Sequence, residues 1–303
     1  MLRQRVLTAI VMLLGLYLGT AWLPAPYFAV FLGLVLLPAL WEWGQLMGLR
    51  RAAEQAVWTL GFAAILMLTL FLVSRSSVPG ADLDVAGQSL GTAVSSINEM
   101  ALTMLMAFAT LFWFWVFWTI RQYPSGQHRW QQRWKIGALG VLCLLPTWLG
   151  LYYLKMIESS GVLVFVLVAL VSVVDIGAYF SGRKWGNRRL APALSPKKSW
   201  AGFWGGLASC VALSALLLAW LHSRQPLSID LWALLMCLAV LLAVLSVVGD
   251  LFESMLKRHR GIKDSGRSLP GHGGVLDRID SLMAATPVFV LALILLRAMP
   301  EVL

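Results

Sequence analysis

Apolar residues in this chain fall in long unbroken runs, not at the three-to-four-residue spacing of a half-buried helix or the alternation of a half-buried strand. Nine runs stand out, at roughly 6–22, 27–47, 56–73, 100–120, 136–154, 161–180, 202–221, 231–249 and 282–297, the last being the shortest. About 20 apolar residues suffice to cross the hydrocarbon core of a bilayer. The pattern therefore predicts an all-α, polytopic integral membrane helix bundle of about nine transmembrane helices. Pro146 and Pro287 fall inside two runs, where kinks are expected. The first run follows Arg3 and Arg5 but lacks a small-x-small cleavage site, so it reads as an uncleaved first span. No repeat or low-complexity tract interrupts the spans, and the loops between them are mostly too short for a separate soluble domain. One membrane domain over 1–303 is expected, with spans 1–5 in 1–160 and spans 6–9 in 161–303.

Composition agrees with the pattern. Only 13% of the 303 residues are charged and 59% are hydrophobic, against about 25% charged in a soluble domain. The net charge of +10 raises the question of nucleic acid, yet the 15 Trp sit among apolar runs, as membrane-interface anchors do, and no nucleic-acid partner is expected. Cys143, Cys210 and Cys237 each lie in an apolar run without a second ligand nearby, so they indicate neither a disulfide framework nor a zinc site.

Charge also orients the spans, because Lys and Arg collect in cytoplasmic loops. With the N-terminus inside and nine alternating spans, only Arg75, Lys155, Arg224 and Arg297 of the 24 Lys and Arg residues fall outside. Asp82, Asp84, Glu99, Glu158, Asp230 and Glu301 lie with them. The C-terminus is then expected outside.

Orientation explains the basic loops, so basic residues alone indicate no chemistry. Carboxylates in or at the lip of a span are different, since a charge at a helix centre costs about 2.5–3.5 kcal/mol even on the lenient insertion scale. Asp175, Asp250, Asp277 and Asp280 all fall near the cytoplasmic boundary, from three helices. Asp277 and Asp280 are three residues apart and share a face if the ninth helix begins by Asp277; the plain alternative for Asp280 is a helix cap. Glu42, between Trp41 and Trp43, reads as an interface-level hydrogen-bonding residue and not as a ligand. Carboxylates beside Lys and Arg suit a hard cation such as magnesium held against phosphate oxygens, which points to phosphoryl or nucleotidyl chemistry. No P-loop string is present. The segment 254–281, read as a loop, adds glycines and Lys257, Arg258, Lys263, Arg267, His272 and Arg278, a composition suited to holding an anion.

That segment resembles the phosphatidate cytidylyltransferase (CDP-diacylglycerol synthase) family. The family pattern is met at Ser254, Lys257, Arg258, Lys263, Asp264, Pro270, His272, Gly273, Gly274, Asp277, Arg278 and Asp280. DIGAYFSGRKWG from Asp175 to Gly186, SPKKSWAGFWGG from Ser195 to Gly206 and VVGDLFES from Val247 to Ser254 are also similar to it. Ala201 departs from the pattern, because relatives often carry an acidic or amide side chain there. The resemblance runs from about 170 to 290; the first five spans match only in length and hydrophobicity.

The resemblance implies that CTP and phosphatidate give CDP-diacylglycerol and pyrophosphate, with Mg2+ as cofactor, at a bacterial inner (plasma) membrane. It implies a catalytic part within 161–303. Asp250 and Asp277 would be the first metal ligands, Asp280 the next, and Asp175 a ligand or a partner of one. Ser195, Lys197, Lys198, Lys257, Arg258, Lys263, Asp264 and Arg278 would bind substrate, Gly273 and Gly274 would let backbone amides approach phosphate, and His272 would bond a phosphate or protonate the leaving pyrophosphate. A second, monovalent cation and a homodimer stay open. A transporter or lipid flippase with a charged cytoplasmic gate also accounts for the spans and carboxylates, although not for the basic, glycine-containing loop. The D-G-x-x-A-R string of the CDP-alcohol phosphotransferases does not occur.

The charge distribution makes a direct prediction. Reporter fusions after Arg51, Arg129, Arg189 and Arg267 should report cytoplasm, and fusions near Asp84, Ser160 and Ser228 the outside. Two or more reversed signals among the seven would sink the nine-span arrangement.

Overall fold

In lipid a backbone N–H or C=O has no water to bond, so an apolar run must satisfy its own backbone, and a helix does so within one segment. The computed structural model describes residues 2–75, 99–125, 132–271 and 273–298. The helices are α1 (Leu2–Trp22), α2 (Ala25–Met47), α3 (Ala52–Arg75), α4 (Glu99–Arg121), α5 (Arg133–Ile157), α6 (Val162–Trp185), α7 (Trp200–Arg224), α8 (Ile229–Arg260) and α9 (Leu276–Arg297). Among the described residues α2 to α9 are long and apolar enough to cross a membrane, while the apolar stretch in α1, Ile10–Trp22, is shorter. The loop positions Asp82, Asp84 and Arg129, and His272, lie outside the described residues.

Element ends follow local chemistry. Pro24 precedes α2, and Gly48, at φ 78°, closes it in the left-handed conformation that glycine tolerates. Ser199 and Ser228 cap α7 and α8 by accepting the N–H groups of Gly202 and Leu231. Between α5 and α6, Glu158 accepts the Ser160 and Val162 N–H groups and the Ser160 hydroxyl. Burial alone would raise the Glu158 pKa, but hydrogen bonds from Ser160, Val162 and Gly161 outweigh it and hold the carboxyl below its usual range.

Two compact units divide the chain. The first comprises Met1–Met106, Gln132–Val164 and Asp264–Asp277. Here α2 packs on α5 and α3. Indole N–H groups tie these helices together: Trp43 donates to the Ile136 carbonyl at 2.8 Å, Trp148 to Ala29 at 2.9 Å and Trp58 to Leu40 at 3.0 Å. Buried Lys155 donates to the carbonyls of Thr20 and Ser159, the compensation an ammonium needs away from water.

The second unit comprises Ala107–Gln131, Phe165–Lys263 and Arg278–Leu303. Between α6 and α7 lies a short antiparallel hairpin, β1 (Arg189–Ala191) and β2 (Ser195–Ser199), which an all-α expectation does not contain. The SPKKS segment is β2 itself. Small residues let α6 and α7 approach closely, since a Cβ at Gly177 would run into Ser209 and one at Gly205 into Ser181. Phe252 of α8 meets Phe112 and Trp113 of α4 edge-on, at 6.3 and 5.6 Å between ring centroids.

The largest difference from the sequence expectation is in α8. Its apolar run ends near 249, yet the helix continues to Arg260 for a total of 32 residues. Ser254–Arg260, expected as loop, is therefore helical. No Gly or Pro interrupts Leu251–Arg260, Glu253 and Lys257 pair one turn apart at 3.3 Å, and the first breaker is Gly261 at φ 70°.

α8 and α9 meet at Gly249, where a Cβ would strike the Asp280 carbonyl and lie 3.1 Å from the Ala284 Cβ. Gly249→Ala should therefore force two backbones apart and lower the detergent thermal-unfolding midpoint by several degrees. Gly15→Ala, with nothing within 4 Å, should leave it unchanged. Equal midpoints would show that this close approach contributes nothing to stability.

Candidate active site

The extension of α8 carries Asp250, Glu253, Ser254, Lys257 and Arg258 beyond the apolar run. Within the second unit β2 brings Lys198 to Asp250, with Nζ 2.6 Å from Oδ2 and both side chains about one-quarter exposed (24% and 28%). Ser254 donates its hydroxyl to the other Asp250 oxygen at 3.3 Å. Asp175 of α6 lies in electrostatic range of Asp250, Lys198 and Arg278. Asp280 of α9, 8% exposed, is in electrostatic range of Asp250, Asp175 and Lys198. Three helices thus bring Asp175, Asp250 and Asp280 together, and Lys198 offsets part of their mutual repulsion.

Around them the basic residues differ in their engagements. Lys257 is 8% exposed and paired with fully buried Glu253. Arg258 donates to the Leu194 carbonyl at 3.2 Å and the Ile262 carbonyl at 3.4 Å, tying the end of α8 to the hairpin. Lys197, Lys263, Asp264 and Arg278 are exposed, and Ser195 is half-buried. Among the described residues no group of three or more His, Cys, Asp or Glu side chains is arranged to hold a metal ion.

Asp277 belongs to the first unit. It stands in the first turn of α9 and accepts the N–H groups of Ser265 and Gly274 through Oδ2, at 3.1 and 2.9 Å. Its Oδ1 lies farther from the Ser265 nitrogen, at 3.4 Å. The Gly274 amide is thereby engaged within the loop. Gly273, at φ 85°, takes a turn that a side chain would strain, and its carbonyl accepts from Leu269. Beside this loop lies Glu42 of α2, 1% exposed, accepting hydrogen bonds from Ser265, Ser268, Val275 and Leu276.

Sequence reasoning assigned no role to Glu253 and missed the partners of Glu42. Glu253 carried a signal in its spacing four residues before Lys257. Nothing in the spacing of Glu42 points to a segment more than 220 residues away.

Apolar helices bearing carboxylates and basic side chains at their polar ends define an integral membrane helix bundle. The model of the Cytidylyltransferase family matches residues 3–296. A phosphatidate cytidylyltransferase of Pseudomonas aeruginosa is 39% identical over 95% of this chain and 96% of its own length. The Haemophilus influenzae protein of that name is 34% identical over 95% and 97%. This chain belongs to the cytidylyltransferase family and is a transferase, which sets aside the transporter reading.

The geometry separates two roles for Asp277. In Asp277→Asn the amide oxygen can take the place of Oδ2 and keep both backbone hydrogen bonds, while the negative charge is lost. Asp250→Asn removes the charge opposite Lys198. Both variants should fold normally and lose about a hundredfold to a thousandfold in turnover, the scale of one lost electrostatic contribution in a transition state. Near-normal turnover of Asp277→Asn would reduce that residue to a loop fastener.

Proposed function

We propose that this chain joins CTP to phosphatidate, giving CDP-diacylglycerol and pyrophosphate, at the cytoplasmic face of a bacterial inner membrane. The observation that carries the reading is the Asp175, Asp250 and Asp280 set with Lys198 on Asp250, on helices of a chain 39% identical to a protein named for this reaction. The charge distribution supports an N-terminus inside and a C-terminus outside.

A phosphate oxygen of the lipid attacks the α-phosphorus of CTP in line. The new P–O bond forms as the bond to the bridging oxygen breaks, and pyrophosphate leaves with that oxygen. Phosphatidate is ionised at neutral pH, so no side chain need remove a proton. Both substrates are polyanions, and bringing the reacting atoms to about 3–3.5 Å requires their charge to be offset. Lys197, Lys198, Lys263 and Arg278 serve that purpose, joined by Ser195. Arg258 and Lys257 hold the α8 extension in place as well as adding charge. Gly273 and Gly274 let the loop make its turn, and His272 lies beside them in sequence.

The donor set fits magnesium, which takes one or two carboxylates and leaves its other positions to phosphates and water. Lys198 already places a positive charge on Asp250. Asp250 would hold the ion with Asp175 or Asp280, while Asp277, in the first turn of α9, belongs to the first unit. When bound, the ion neutralises charge on the triphosphate.

Pyrophosphate release by purified protein should require CTP and phosphatidate together and fail with diacylglycerol, which lacks the attacking phosphate. Chelation of divalent metal should abolish it. Equal CTP turnover with and without lipid would identify a nucleotide hydrolase instead.

A further inference from the structure

Glu42 accepts four hydrogen bonds within the first unit, and the reaction above gives it no task. Oε1 accepts from the Ser268 hydroxyl at 2.7 Å and the Val275 N–H at 3.0 Å. Oε2 accepts from the Ser265 hydroxyl at 3.2 Å and the Leu276 N–H at 2.8 Å. Leu276 is the first residue of α9, so two of these donors are N–H groups that a helix leaves unpaired at its start. A carboxylate there also meets the positive end of the helix dipole. Capping residues normally lie next to their helix in sequence; this one comes from α2.

The loop is shaped to the carboxylate. A Cβ at Gly266 would come within 2.5 Å of Oε1, and one at Gly274 would strike Oε2 and the Ser265 hydroxyl. At the other end of the segment, Thr8 of α1 donates its hydroxyl to the Pro270 carbonyl at 3.1 Å. Ser265, whose side chain bonds Glu42, also donates its N–H to Asp277. One residue of the loop thus links the α2 carboxylate to the α9 carboxylate.

We infer that Glu42 is a positioning residue of the transferase, holding the Asp264–Asp277 segment in the one conformation that presents Asp277 and starts α9. This rests on the nucleotidyl-transfer reading. It also gives the first two helices a task in the reaction besides anchoring, since a cluster of polar loop groups is organised by a single charge from α2. A glutamine cannot substitute, because it has the same shape but its NH2 must face one of the two backbone N–H donors.

The test compares wild type with Glu42→Gln and Ser268→Ala in purified full-length protein, using trypsin cleavage after exposed Arg267 together with kcat and KM. In Glu42→Gln cleavage should rise about tenfold or more and kcat should fall by a similar factor, with the KM for CTP changing less. Ser268→Ala, which leaves the carboxylate and three of its donors, should shift both in the same direction by less, and it decides the matter if Glu42→Gln does not accumulate. Cleavage at the wild-type rate, or a loosened loop with wild-type kcat, would overturn the inference. A wild-type protein with no CTP- and phosphatidate-dependent turnover would defeat the functional reading instead, and the cleavage rates would still judge the clamp.

Discussion

A polar group surrounded by lipid cannot turn to water, and this constraint organises everything described here. Trp43, Trp58 and Trp148 spend their indole N–H groups on carbonyls of neighbouring helices. Lys155 gives its ammonium to two carbonyls at a helix end. Glu42, whose unpaired burial would cost several kcal/mol, is surrounded by four donors. Each such group finds its partner on another segment, so satisfying polar atoms and joining helices are one event.

The same constraint concentrates reactivity. Asp175, Asp250 and Asp280 repel one another, and a pocket of carboxylates persists only with cations to oppose it. Lys198 supplies one such charge from the hairpin. The α8 extension is the mechanical basis of the arrangement. By remaining helical past its apolar run it carries Asp250, Glu253 and Lys257 on one rigid rod. Rigid elements hold reacting groups more closely than loops do.

Loops and helix ends then divide the work. Among its described residues, the Asp264–Asp277 segment takes its conformation from hydrogen bonds to Glu42 and Asp277 and from a left-handed turn at Gly273. A loop of this type depends on an anchoring charge elsewhere in the chain.

Much was legible before any coordinates. Long apolar runs dictate helices because lipid leaves the backbone no alternative, and the motif residues from Asp175 to Asp280 identified the family. Three features were not legible. Where α8 stops depends on helix propensity and an i,i+4 pair beyond the apolar run, which an apolar-run count ignores. The hairpin at 189–199 is a pairing of two segments too short to carry a periodic signal. The partners of Glu42 lie more than 220 residues away, and a carboxylate between two tryptophans looks the same in sequence whether it binds a headgroup, a metal or a loop. Sequence by itself determined the elements and the residue types available for chemistry, because both follow from local composition against a lipid solvent. Only the tertiary structure decided which carboxylates share a unit, which basic side chains are already engaged and which distant charge holds the loop, because those are matters of packing between segments that no local pattern encodes.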